Sequence, residues 1–172
     1  MLNITNFKIS LKVLPICLDT VCDIAKKSNI CFKRYNNFLV LQNKFTYIIF
    51  KNRKGSNTHI NVTKLRIFED IKESQKFLFS NFLNRLNSNI IFDKIDNITA
   101  SYDLKKNIDI HQTIQNFKNL CEVRYNNETF PGVFLKHVCG TIIIFHSGKT
   151  ILIGSKNITS LQCLINFLNA NT

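Results

Sequence analysis

The first half of the chain alternates between short strand-like and helix-like patterns of hydrophobic residues. Residues 4–13 and 58–62 have the pattern of single strands, and residues 38–50 form two apolar runs around a polar turn at 42–44. Residues 18–27 and 68–86 instead place apolar side chains three and four positions apart, which is the spacing of a helix with one buried face. The predicted order is strand, helix, several strands, helix.

The second half repeats this order. Strands are predicted at residues 90–104, 122–125, 132–138, 141–146 and 149–154, and helices at residues 108–120 and 158–169. Strands joined by hairpins pair antiparallel, and helices at regular intervals cover one face of such a sheet. The layout therefore predicts an α+β protein with a long curved sheet, helices on one side and the other side bare.

An internal repeat supports two copies of one unit. The sequence Arg-Tyr-Asn-Asn occurs at residues 34–37 and again at 124–127, 90 positions later (124 − 34). Asn6 and Asn97 are separated by 91 positions (97 − 6), and Lys64 and Lys156 by 92 (156 − 64). Such nearly equal offsets predict one repeat over residues 1–88 and a second over residues 89–172.

The charge of the chain points to a polyanionic partner. Its 172 residues contain 23 Lys and Arg against 11 Asp and Glu, for a net charge of +12. Nucleic acid and an anionic membrane surface both fit that charge. The chain has no apolar run of about 18 residues and no pattern of a cleaved signal, which favours a soluble intracellular protein and nucleic acid.

The six cysteines do not suggest a metal site. They lie at residues 17, 22, 31, 121, 139 and 163, without a Cys-x-x-Cys motif and without zinc-binding spacing relative to His59, His111, His137 or His146. Reduced thiols that serve as small core residues are the expectation, together with no metal and no cofactor.

One segment resembles a known family. Residues 127–156, NETFPGVFLKHVCGTIIIFHSGKTILIGSK, resemble the second repeat of the TATA-box-binding protein family in the order Phe-Pro-Gly, apolar strand, Ser-Gly-Lys, apolar strand and Gly-Ser-Lys. The resemblance implies a saddle of two pseudo-symmetric repeats with helices on its convex face. It also implies the family's mechanism, in which phenylalanines enter base steps of the DNA minor groove and bend the duplex.

The resemblance assigns roles to individual residues. Phe130 and Phe145 match the inserted pair, with Phe38 and Phe50 in the same places of the first repeat. Asn6 and Asn97 match central asparagines whose amides donate to the acceptors of A·T pairs, and Thr99 lies beside Asn97 on the groove floor. The phosphate-binding positions fall on Lys136, Lys149 and Lys156, with Lys64 and either Arg53 or Lys54 as first-repeat counterparts. Glu128 matches an acidic residue that faces transcription factor IIB.

The first repeat departs from the family pattern. It lacks Ser-Gly-Lys, and its two phenylalanines are 12 positions apart (50 − 38) against 15 in the second repeat (145 − 130). Val62 is expected where the second repeat has Gly154, and Lys8 stands where Thr99 does. A lysine there weakens the case for strict TATA selectivity.

The expected function is therefore that of a non-enzymatic, divergent TATA-binding-protein-like factor that binds and bends A·T-rich promoter DNA. Its expected partners are double-stranded DNA, transcription factor IIB-like factors and RNA polymerase, with no membrane and no small-molecule substrate. The nucleus, or a cytoplasmic replication site if the chain is viral, is the expected location. Two alternatives are a protein-interaction paralogue that keeps the fold without binding TATA DNA, and an accessory domain of a nuclease or glycosylase.

Overall fold

The computed structural model describes residues 2–52 and 56–172, so the predicted phosphate contacts at Arg53 and Lys54 lie outside the described residues. The chain forms two compact units. The N-terminal unit is Asn6–Asp96, and the C-terminal unit combines Met1–Thr5 with Asn97–Thr172. The predicted repeats, residues 1–88 and 89–172, are defined by sequence similarity and not by compactness, so the boundary between them stays a prediction.

The N-terminal unit contains two helices and one antiparallel sheet. Its elements are the part of β1 (Asn3–Val13) that begins at Asn6, α1 (Leu18–Lys27), β2 (Cys31–Arg34), β3 (Phe38–Gln42), β4 (Thr46–Phe50), β5 (Thr58–Leu65), α2 (Phe68–Leu78) and the part of β6 (Ile90–Asp103) that ends at Asp96. The strand order is β2-β3-β4-β5-β1-β6. A π-helical turn at Phe79–Leu83 and a 3-10 turn at Asn84–Leu86 continue α2.

The C-terminal unit has the same arrangement of elements. After β6 it contains α3 (Ile110–Phe117), β7 (Glu122–Asn126), β8 (Phe130–His137), β9 (Gly140–Ile144), β10 (Lys149–Ser155) and α4 (Ile158–Asn171). Its strand order is β1-β6-β10-β9-β8-β7, and β10 pairs antiparallel with both β6 and β9. The predicted α+β class with antiparallel strands is confirmed.

The helices of each unit cover one face of its strands. In β3 the side chains of Leu39 and Leu41 are fully buried, whereas Phe38 and Val40 between them are half-buried. In β8 Val133 and Leu135 are buried, whereas Phe134 is half-buried and Lys136 is exposed. Because neighbouring residues of a strand point to opposite faces, each unit has a core face and an uncovered face.

Two expectations from the sequence need correction. Strand β2 was not predicted, because Cys31–Arg34 is mostly exposed and lacks apolar alternation. The cysteines are not core residues as a group, since only Cys22 of the six is buried, and Cys17 and Cys31 are exposed. Among the described residues, no helix is both long enough and apolar enough to span a bilayer.

Candidate nucleic-acid interface

The paired phenylalanines of the C-terminal unit lie on its uncovered face. The ring centroids of Phe130 and Phe145 are 5.7 Å apart, and Phe134 lies 5.1 Å from Phe130. Gly132 lies beneath them. A Cβ atom there would be 2.7 Å from Cε1 of Phe130 and 3.1 Å from Cε1 of Phe145. The missing side chain of Gly132 is therefore what allows the two rings to sit where they do.

A second pair lies on the uncovered face of the N-terminal unit but is built differently. Phe38 and Phe50 are direct partners across β3 and β4, with centroids 6.3 Å apart. The ring of Tyr35 stacks on Phe38 at 4.4 Å, and Phe50 is 37% exposed. The aromatic group of this unit thus has three members, as that of the C-terminal unit does with Phe134, and the sequence pattern identified neither Tyr35 nor Phe134.

The strand registers show how the two pairs correspond. Leu41 faces Tyr47 in one unit as Leu135 faces Ile142 in the other, so Phe50 occupies the place of Phe145. Counting back along β3 and β8, Phe38 occupies the place of Gly132 and not that of Phe130. The expectation that Phe38 and Phe130 take the same place is therefore corrected.

Asn6 and Asn97 make the same contact in their respective units. Oδ1 of Asn6 accepts a hydrogen bond from the backbone N–H of Lys64 at 2.9 Å, and Oδ1 of Asn97 accepts one from the N–H of Gly154 at 2.7 Å. Each donor lies where the strand pairing shifts register. The hydrogen bond to each oxygen fixes the orientation of the amide, and Nδ2 of Asn97 also donates to Thr99 Oγ1 at 3.1 Å.

This contact corrects the predicted counterparts. Lys64 and Gly154 both have positive φ, +66° and +92°, and both donate to the central asparagine. Lys64 is therefore the counterpart of Gly154 and not of Lys156, and Val62 occupies the place of Leu152. The same offset of 90 (156 − 66) makes Arg66 the counterpart of Lys156, a basic position that the sequence comparison missed.

The lysines of the C-terminal unit differ in their surroundings. Lys149 and Lys156 are exposed, and Lys149 lines a groove of about 550 Å³ together with Phe145, Ile151 and Ser101. Lys136 lies 3.5 Å from the carboxylate of Glu122. Arg124 and Lys136 hold the pKa of Glu122 below its ordinary value, so a phosphate at Lys136 would compete with this carboxylate.

The structure explains why the Ser-Gly-Lys motif contains a glycine. Gly148 has φ +77°, and a Cβ atom there would lie 2.0 Å from the carbonyl oxygen of Lys106. No side chain fits at that distance. This part of the motif is required by packing within the C-terminal unit, whether or not a ligand binds.

The uncovered face of the N-terminal unit is polar and contains acids. Ser10 Oγ lies 2.5 Å from Oδ2 of Asp96 and 3.0 Å from Oδ1 of Asn61, and Lys12 pairs with Asp93 at 2.8 Å. The hydrogen bond from Lys12 lowers the pKa of Asp93, which keeps this carboxylate charged. Lys8 is half-buried two positions after Asn6, as Thr99 is after Asn97. Sequence patterns did not identify the two acids.

Glu128 lies in the turn between β7 and β8. Its side chain is exposed, and its N–H donates to Oδ1 of Asn126 at 3.0 Å. The position is accessible to a partner protein, but none of its contacts tests the predicted role.

The fold and these faces define a class of protein in which a duplicated α+β unit presents aromatic pairs and lysines on an uncovered β-sheet. Comparison with known proteins narrows the class. Residues 93–169 match the family model described as transcription factor TFIID, or TATA-binding protein. The TATA-box-binding protein of Thermococcus sibiricus is 31% identical over 78 residues, which are 44% of this chain and 40% of that protein.

Two further relatives are similar to this chain over a comparable length. The TATA-box-binding protein of Methanothermobacter thermautotrophicus is 40% identical over 67 residues, 38% of this chain and 35% of its own length. TATA-box-binding protein-like 1 of Entamoeba histolytica is 34% identical over 88 residues, 49% of this chain and 40% of its own. The matches thus span well under half of these relatives.

The fold match covers the whole chain. The structure of Methanococcus jannaschii TBP superposes with a TM-score of 0.76 over 97% of this chain and 95% of the other, at 20% sequence identity. The chain therefore has the fold of that structure, and its second half matches the TATA-binding-protein family model over residues 93–169.

Proposed function

We propose that the chain binds A·T-rich duplex DNA in the minor groove, bends it and thereby promotes transcription initiation. The observation that supports this most directly is the aromatic pair Phe130 and Phe145, held over Gly132 on an uncovered face. Lys149 adds a positive charge beside Phe145. The family is one of DNA-binding transcription factors without enzymatic activity, so the proposed mechanism consists of binding steps only.

Each residue type has a defined task in this mechanism. The phenylalanine rings enter a base step, which costs a few kcal/mol of unstacking, and the bent groove offsets that cost by exposing more surface. Lys149, Lys156 and Lys136 contact phosphates, which supplies affinity without reading sequence. The amide of Asn97 offers N–H groups, which suit the acceptors of A·T pairs and would meet the N2 amino group of a G·C pair unfavourably.

Glu128 and the helices supply surfaces for other proteins. The exposed carboxylate of Glu128 at the β7–β8 turn is the proposed contact for a transcription factor IIB-like protein. Under this proposal the DNA-bound protein recruits initiation factors and polymerase.

A protein-interaction role without TATA binding is the second candidate. Asp93 and Asp96 on the uncovered face of the N-terminal unit favour it, because Asp93 already occupies the ammonium of Lys12 and Asp96 adds a negative charge beside Ser10, which leaves less positive charge for phosphates. The DNA-bending experiment decides between the two candidates.

The test compares the natural protein with a variant carrying Phe130→Ala and Phe145→Ala. Bending is measured by fluorescence energy transfer across A·T-rich and G·C-rich duplexes at several salt concentrations. We expect the double substitution to abolish the bend and the A·T preference, while the lysines retain a salt-sensitive component that ignores sequence. Phe79→Ala, which removes an exposed phenylalanine at the end of α2, is the control and should change neither property.

If the natural protein neither bends DNA nor prefers A·T sequence, the DNA-bending function is wrong and the protein-interaction role replaces it.

A further inference from the structure

Three potential metal ligands meet within the C-terminal unit. His137 ends β8, Cys139 lies in the turn to β9, and Cys163 lies on α4. Their ligand atoms all lie within 4.8 Å of one another, and the two Sγ atoms are 2.9 Å apart. All three residues are half-buried, so the group lies at the surface rather than in the core.

The chemistry of the three side chains suits a borderline-soft cation. Two thiolates and one imidazole are ligands that Zn²⁺ prefers, with water or another group completing a tetrahedron. Nδ1 of His137 accepts a hydrogen bond from the N–H of Cys139 at 3.2 Å, so a metal ion bound at this nitrogen would replace that hydrogen bond. The ring also packs on Phe167 of α4 at 4.5 Å, which fixes its orientation.

The geometry requires only a small adjustment. A Zn–S distance of about 2.3 Å separates two thiolates of a tetrahedral site by roughly 3.8 Å, so the sulfur atoms must move apart by roughly 1 Å. Rotation of the Cys139 side chain, in a turn, can supply that movement. Access from solvent is open, because Val138 between the two turn ligands is 94% exposed.

We propose that His137, Cys139 and Cys163 bind one Zn²⁺ ion, with water as the fourth ligand. The ion joins α4 to the β8–β9 hairpin and stabilises the C-terminal unit. The site does not depend on the proposed DNA binding, since His137 lies seven residues along β8 from Phe130, a distance of roughly 23 Å at the usual strand rise.

The test uses the full chain, stripped of metal by a chelator and kept reduced by a phosphine. Titration with Co²⁺ should give one ion per chain, with the near-ultraviolet charge-transfer band of thiolate–cobalt bonds and the visible bands of tetrahedral cobalt. Added Zn²⁺ should displace the cobalt. Zn²⁺ should also raise the Tm of the natural protein.

Two variants locate the ion. Cys163→Ser should weaken Co²⁺ binding by more than about tenfold, the lower end of what even outer-shell substitutions cost, and should abolish the Zn²⁺-dependent rise in Tm. Cys121→Ser is the matched control, because Cys121 is also a half-buried thiol of this unit but lies outside the cluster. It should bind Co²⁺ like the natural protein.

Three outcomes would overturn the proposal. The first is that the reduced natural protein binds neither Co²⁺ nor Zn²⁺. The second is that Cys121→Ser loses binding as far as Cys163→Ser does. The third is that mass spectrometry of the protein purified without reductant finds Cys139 and Cys163 joined as a disulfide and that reduction of this bond yields no metal binding.

Discussion

At the scale of single residues, the hydrogen bond of the central asparagine identifies corresponding positions of the two units better than residue identity does. The oxygen of Asn6 holds the N–H of Lys64, and the oxygen of Asn97 holds that of Gly154, each at a shift in strand register. Glycine adopts a positive φ without cost, whereas a lysine there is strained by contact of its Cβ with the backbone. Lys64 therefore keeps its place in the N-terminal unit at an energetic cost.

Replacing Lys64 tests this strain. Lys64→Gly should be more stable than Lys64→Ala by about 1 kcal/mol, because only glycine relieves the left-handed conformation while both lose the charge. The free energy of unfolding from urea denaturation measures the difference. If Lys64 also contacts a phosphate, both variants should lose the same DNA affinity. Equal stability of the two variants would show that the φ of +66° stores no strain.

At the scale of elements, the N-terminus of α2 is held by a buried acid. Oδ2 of Asp70 accepts the N–H groups of Arg66 at 2.7 Å and Ile67 at 3.2 Å, and its other oxygen pairs with Lys44 at 3.0 Å. Burial raises the pKa of Asp70, but the N–H of Arg66, the ammonium of Lys44 and the N–H of Ile67 outweigh it, so the pKa lies below its ordinary value. Asp70 thus joins α2 to the β3–β4 turn.

The lowered pKa fixes the sign of a pH dependence. A carboxyl whose pKa is lower in the folded state adds stability that is fully present above its ordinary pKa of about 4 and is lost as the pH falls further. Asp70→Ala should cost about 1–2 kcal/mol at pH 7, and less below pH 4. The free energy of unfolding of both proteins, measured at a series of pH values between pH 2 and pH 7 that are most closely spaced around the ordinary pKa, gives this difference.

Glu69 provides the control for Asp70. It lies in the same first turn of α2 but is exposed. Glu69→Ala should lower stability by less than Asp70→Ala at neutral pH. A difference between natural protein and Asp70→Ala that stays constant with pH would contradict the assigned role of the carboxylate.

Most elements could be predicted from the sequence, because apolar periodicity reports which face is buried. The bounds of α1 agree with the predicted residues 18–27. Strand β2 was not predicted because it buries few side chains. The predicted place of Phe38 was wrong because a match by residue type carries no information on strand register. The cluster around Cys139 also escaped, since folding of α4 onto the β8–β9 hairpin brings Cys163 to a turn 24 positions earlier in the chain.

At the scale of the whole molecule, the two units differ in the face they leave uncovered. The C-terminal unit places Thr99, Ile151 and the Phe130–Phe145 pair there, and the N-terminal unit places Lys8, Ser10 and Lys12 there, next to Asp93 and Asp96. Apolar and hydroxyl groups suit the floor of a minor groove, whereas carboxylates oppose phosphates. The C-terminal unit should therefore dominate DNA binding.

Paired substitutions test this asymmetry. Phe38→Ala with Phe50→Ala should lower affinity for A·T-rich DNA and the bend angle less than Phe130→Ala with Phe145→Ala does, because Tyr35 and Phe38 stack on each other and only the second pair lies over a glycine. The measurements are duplex affinity at fixed salt and energy transfer across the site. Equal losses in the two variants would show that both units insert their rings alike.

The bond between an asparagine oxygen and a bulged strand also bears on ancestry. If the two units descend from one duplicated gene, this bond has outlasted the identity of its donor, which is lysine in one copy and glycine in the other. An alignment that matches identical residues pairs Lys64 with Lys156. This pairing is two positions away from Gly154, the residue that makes the same hydrogen bond. Between these two units, the pairing of strands thus preserves the correspondence of positions better than residue identity does.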